Sequence, residues 1–220
     1  MTSISRPPAD RAPMDGPVDF TMMYAAHDAF ARDLRYLISA CAAGHAWSRT
    51  TRARWQMFDK QLHIHHRAED TSLWPLLRPV VPNPSGVAVL DARAAEHTTI
   101  DPQLQRISEA FADLDEAALD QALHTLTVEL SVHMLHEENE ALPLVERHLG
   151  PAGWEAFGTN IRVTQGVRGA AEYLPWLLDE ASGEQRAKVL RLLPFPVRLA
   201  YRLRWEPRYR RRFALPSRRK

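Results

Sequence analysis

The chain is short of cysteine, of long apolar runs and of any overall excess of charge, and each shortage removes a class of protein. Of its 220 residues only Cys41 is a cysteine, so no internal disulfide can form. Zinc sites built on thiolates and iron–sulfur clusters lack their ligands for the same reason. A lone thiol suits a reducing compartment. No apolar stretch approaches the roughly 20 residues that a bilayer span needs, and the N-terminal residues carry prolines and acids where a secretory signal would have an apolar core. A cytoplasmic protein of one domain, or at most two small ones, is the expectation. The formal net charge is only +1, but it is unevenly spread. Ten of the 28 Arg and Lys lie between Pro196 and Lys220 against the single acid Glu206, which leaves residues 1–195 with 18 bases and 26 acids. The body is acidic and the tail basic.

What the chain does have is helical periodicity with polar residues at core positions. In HIHHRAED, residues 63–70, His65 and Glu69 stand four apart on a stripe that also contains Trp55, Phe58, Leu62, Leu73 and Leu76. Three-four alternation of this kind marks the buried face of a helix. A second copy follows, where Leu119, Leu123, Leu126, Leu130, His133, Glu137, Ala141 and Leu144 keep the same rhythm. In both copies a proline stands six residues past the Glu, at Pro75 and Pro143.

Two further stripes carry one histidine each. Phe20, Met23, His27, Phe30, Leu34, Leu37 and Cys41 predict a first helix, with Asp19 as its cap and Gly44 as its stop. Ser48 or Thr50 is expected to cap a second helix over about 51–78, and the prolines of 79–86 predict a loop. Leu90, Ala94, His97, Ile100, Leu104, Ile107, Phe111 and Leu114 predict a third helix, kinked or restarted at Pro102. Asp115 is expected to cap a fourth, ending at Gly150-Pro151. His27 to His65 is 38 residues and His97 to His133 is 36, so the two halves read as matching hairpins. The fold class expected is all-α, an up-down-up-down antiparallel four-helix bundle over residues 18–150. Residues 1–17 are expected to be a disordered lead-in, 151–195 a helical extension with Ser182 as a cap, and 196–220 a basic Arg-rich and aromatic tail.

Ionised carboxylates placed in a core need a compensating charge. Residues four apart on a helix share a face and can ligate one centre. His27, His65, His97 and His133 with Glu69 and Glu137 make a nitrogen and oxygen donor set. Six ligands exceed the needs of one tetrahedral ion but suit two irons, or manganeses, bridged by carboxylates.

On these residues the chain resembles the hemerythrin-like, or HHE cation-binding, family over residues 19–149: His27 in the first helix, HIHHRAED followed by LWPLL in the second, EHTTID in the third, and HMLHEE followed by ALPL in the fourth. The resemblance implies that His27, His65, His97 and His133 are terminal ligands of two iron ions, that Glu69 and Glu137 bridge them, and that water, O2, peroxide or nitric oxide takes the open positions. It also marks two departures. Oxygen carriers of the family have a further His one turn along the third helix, where this chain has Asp101, and they space the His and Asp of the last helix by five, where this chain has His133 and Glu137 spaced by four. Fewer imidazoles and more carboxylate favour oxidised metals and weaken reversible oxygen carriage.

His136 with Glu140 repeats the four-residue spacing but lies off the leucine stripe, and reads as a solvated edge. His66 reads as an outer partner or an added ligand, and Asp101 as an orienter of His97 or a weak ligand. His45, His63, His124 and His148 read as surface residues. The functions that follow are binding or sensing of O2, peroxide or nitric oxide, with two alternatives. One is an enzyme that consumes peroxide or acts as an oxidase at the same site. The other is a metal-stapled interaction module working through its tail. For that tail the readings are an arm folded along the acidic body with its rings packed, or contact with an anionic membrane or nucleic acid.

Overall fold

The computed structural model describes residues 16–213, and among them it is helical with no strand. The expected lead-in up to residue 15 and the end of the tail, 214–220, lie outside the described residues. No helix among the described residues is long and apolar enough to cross a membrane. The chain divides into two compact units, which interleave in sequence.

The first unit combines residues 16–19 with Leu62–Thr164. It takes in the end of α2 (Arg49–Ala68), a π-helical turn at Glu69–Leu73, α3 (Trp74–Leu77), and α4 (Pro84–Asp113). After α5 (Glu116–His136) come a second π turn at Glu137–Ala141, α6 (Leu142–Leu144), a third at Val145–Leu149, and the first part of α7 (Gly150–Leu177). Helices α4 and α5 form an antiparallel hairpin. Leu114 turns left-handed at φ 59° to end α4, and the Asp115 carboxylate accepts from Ala118 N–H at 2.9 Å to start α5. Leu90, Ile100, Ile107, Leu119, Leu123, Leu126 and Leu130 have no exposed surface. Each such side chain taken out of water contributes about 1.5–3 kcal/mol. The Val18 N–H donates to Glu146, and Trp154 Nε1 donates to the Asp19 carbonyl at 3.0 Å. Asp19 is therefore a docking point; α1 (Thr21–Ala42) starts after Phe20 without a side-chain cap.

The second unit combines Phe20–Gln61 with the chain from Gln165 onward. It holds α1, the start of α2, the end of α7, α8 (Gly183–Leu192), α9 (Phe195–Ala200), a π turn at Tyr201–Trp205 and α10 (Glu206–Phe213). The first stripe is buried as read, from Phe20 through His27 to Cys41. Phe30 packs edge-on to Phe58 at 5.6 Å and against Trp176 at 5.1 Å between centroids. Ser48 accepts from Thr51 N–H and Ser182 from Gln185 N–H, so both read caps form. The tail folds back with Tyr201, Tyr209 and Phe213 buried while Arg202, Arg204, Arg208 and Arg210 to Arg212 face water.

Leu114, read as part of a buried stripe, is exposed at the left-handed end of α4, and most other departures from the sequence reading come from the prolines. Asn83 accepts from Gly86 N–H at 2.7 Å and Pro84 opens α4, so the predicted loop is shorter than 79–86. Pro102 stays inside α4. Each of the four π turns among the described residues ends two residues before a proline, at Pro75, Pro143, Pro151 and Pro207. A proline ring collides with the carbonyl four residues back. The preceding residue then bonds five back instead, as Trp74 does to Glu69 and Leu142 to Glu137. The wider turn holds one extra residue, and the buried stripe slips by one. Leu77 and Val145 are fully buried, where the stripes predicted Leu76, which is exposed, and Leu144.

Candidate metal centre

Three helical segments of the first unit bring their histidines together. His97 and His133 each stand about five turns from the Leu114–Asp115 corner, so the antiparallel register sets them side by side, with ring centroids 4.8 Å apart. The end of α2 adds His65 and His66. His66 stacks on His97 at 4.0 Å and 12°, and meets His133 edge-on at 5.2 Å.

The two carboxylates sit where the helices widen. Glu69 and Glu137 open the first and second π turns and have no exposed surface. His65 Nε2 lies 3.0 Å from Glu69 Oε1, and His97 Nε2 lies 3.5 Å from Glu69 Oε2. His133 Nε2 lies 3.6 Å from Glu137 Oε2. Ligating oxygens and nitrogens of Glu69, His133 and Glu137 come within 4.8 Å of one another, and so do ring nitrogens of His66, His97 and His133. Ile100 and Leu130, a turn away on α4 and α5, are fully buried.

An outer ring of acids fixes which nitrogen faces inward. His97 Nδ1 donates to Asp70 at 3.0 Å. His133 Nδ1 donates to Glu96 Oε2 and His136 Nδ1 to Glu96 Oε1, both at 2.9 Å, and Arg93 donates to the same carboxylate at 2.9 Å. With the Nδ1 proton held outside, the Nε2 lone pairs of His97 and His133 point into the cluster, the arrangement by which proteins present imidazole to a metal. Neither Nε2 has a hydrogen-bond partner. Burial and the neighbouring rings of His97, His133 and His65 hold the His66 pKa well below the usual imidazole value, which keeps that ring neutral.

Of the residues nominated from sequence, His65, Glu69, His97, His133 and Glu137 lie together in this unit. His27 belongs to the other unit, on α1, with 1% of its surface exposed. Asp101 is exposed, and the acid on His97 is Asp70 instead. Glu96 was not nominated either. Both were legible by position, since each adjoins a nominated ligand and so flanks the ligand face of its helix. His136 is half-buried against Glu96, off the cluster.

A nitrogen and oxygen donor set with inward lone pairs and buried carboxylates fits a cation of the iron, manganese or zinc class. Residues 18–145, more than half of the chain, match the hemerythrin HHE cation binding domain. The chain belongs to this family. The matched span includes every nominated ligand of this hemerythrin-domain protein together with Asp70 and Glu96. Comparison with curated proteins and with solved structures returns no significant match.

Proposed function

We propose that this hemerythrin-domain chain is a non-haem di-iron protein that binds or senses O2, peroxide or nitric oxide, in a bundle of up-down-up-down topology. His27, His65, His97 and His133 serve as terminal ligands and Glu69 and Glu137 as bridging carboxylates. The observation that supports this most is the cluster of inward Nε2 lone pairs against two wholly buried carboxylates. Imidazole nitrogens and buried carboxylates gathered in one cluster are the donor set that a divalent cation takes. Iron bound to such donors supplies a Lewis-acidic, redox-active centre that can take a small exogenous ligand.

The protein's own residues set the terms. Asp70 and Glu96 hold the Nδ1 protons of His97 and His133 and so fix ring orientation and raise the basicity of the inward nitrogens. Arg93 anchors Glu96 from the far side. The test is metal analysis of protein purified without oxygen, followed by optical spectra during exposure to O2, peroxide and nitric oxide. About two irons per chain and a spectral change with at least one of these ligands are expected. Two manganeses would replace the metal in this reading, and catalytic release of O2 from peroxide would make the protein an enzyme. A chain that binds no redox-active metal would overturn it.

A further inference from the structure

The run HIHH presents three histidines, and the one with least exposed surface is not the one at four-residue spacing. His63 is exposed and His65 half-buried, whereas His66 keeps only 5% of its surface. Neither ring nitrogen of His66 has a hydrogen-bond partner. Buried polar atoms left in that condition are rare because each forfeits its hydration without replacement. The stack on His97 and the edge contact with His133 occupy the faces of the ring but satisfy no nitrogen.

His97 and His133 show what the unmet nitrogen of His66 is aimed at. Their own Nε2 atoms are also without hydrogen-bond partners, and Asp70 and Glu96 turn both toward the same space. One ring nitrogen from each of the three residues lies within 4.8 Å of the other two. Donors about 2.1 Å from a shared ion stand roughly 3–4 Å apart, so small side-chain rotations would close the three around a cation.

We propose that His66 is a direct cation ligand, completing with His97 and His133 a set of three imidazole ligands contributed by α2, α4 and α5. This deepens the metal reading above and rests on it. Besides the bridging carboxylates that both positions share, this position has three neutral nitrogen donors. Neutral borderline nitrogens hold divalent ions such as Fe2+, Co2+ and Zn2+ without favouring higher charge. The two cation positions of the centre therefore differ in affinity, and His66 belongs to one of them.

The test uses the full chain, stripped of metal and titrated with Co2+ without oxygen, with bound cobalt counted and its visible absorption recorded. His66→Phe keeps a ring of similar size and removes both unmet nitrogens, so a merely structural His66 would leave the metal-free protein at least as stable and cobalt binding unchanged. As a ligand, its loss weakens one of the two Co2+ ions at least about 10-fold, the lower bound for losing even an indirect partner, and alters the absorption bands. His66→Gln, read by the same two measurements, decides the matter if the Phe variant does not fold, and His63→Gln is the exposed control expected to bind as the wild type does. Wild-type affinity and spectrum in both His66 variants would overturn this assignment alone. A wild-type chain that takes up neither cobalt nor iron would overturn the metal reading with it.

Discussion

Asp33 and Glu69 are both carboxylates with no exposed surface, yet they have opposite neighbours. Asp33, in the second unit, accepts from Arg32 Nε and Nη2, from Arg54 Nη1 and from Trp176 Nε1, all at 2.7–3.0 Å. Arg32 then spends its remaining arm on the carbonyls of Trp176 and Asp179, and Arg54 reaches the Asp179 carboxylate. Guanidinium and indole nitrogens only donate, so donors meet acceptors around Asp33. Glu69, in the first unit, faces imidazoles instead. His97, beside it, has its one neutral-state proton committed outward to Asp70. A carboxylate held by guanidinium and indole donors is a structural knot, whereas one set among imidazole nitrogens turned inward is suited to receive a cation.

The contrast can be broken at its strongest point first. Asp33→Ala leaves two buried guanidinium groups without their shared carboxylate, and a loss of about 3–5 kcal/mol in the denaturant-unfolding free energy is expected. A loss below 1 kcal/mol would mean that the second unit does not depend on this knot.

Chelation of the purified protein should lower stability by about 2.7 kcal/mol at a free metal level 100 times the dissociation constant, measured as the difference in unfolding midpoint with and without metal. In the double variant His65→Ala, Glu69→Ala the iron content falls and most of that difference disappears. A double variant that keeps its full iron would remove the basis for separating the two clusters.

Asp70→Asn and Glu96→Gln sharpen the comparison, because neither acid is a nominated ligand. Each should weaken metal binding by about 10- to 100-fold by isothermal titration, while the metal-free protein unfolds near the wild-type midpoint. Glu96→Gln is expected to be the larger of the two, since one carboxylate holds both His133 and His136.

The smallest effect lies in the tail. Burial acts to raise the Glu206 pKa, but Arg186 at 2.6 Å and Arg210 at 2.8 Å outweigh it and hold it below its ordinary 4.5. A depressed folded-state value contributes stability above the unfolded pKa, lost as pH falls through the folded value. Glu206→Gln should flatten the stability profile below about pH 4.5 by on the order of 1 kcal/mol or less, as followed by thermal melts across pH 3–6.

Much of this was legible from residues alone, because helix periodicity and capping are local. The stripe through His27 is buried as its spacing requires, and so are those through His97 and His133 apart from half-buried Ala94 and exposed Leu114 at the left-handed end of α4; Ser48, Asp115 and Ser182 cap where they were expected to. Where a stripe crosses a π turn the reading slips by one residue, at Leu77 and Val145. The signal was present in Pro75 and Pro143, but a spacing rule built on one helical pitch could not convert it into a register shift.

The sequence by itself determined that this is an all-helical chain of the hemerythrin family with imidazoles and carboxylates on its buried faces, since hydrophobic period and residue type need no distant contact to act. Only the tertiary structure decided which acid orients which ring, and that His66 rather than His63 or His65 is the most deeply buried of its run. Those choices depend on how α4 and α5 are opposed across the Leu114–Asp115 corner and on where the end of α2 meets them, distances that no linear spacing encodes.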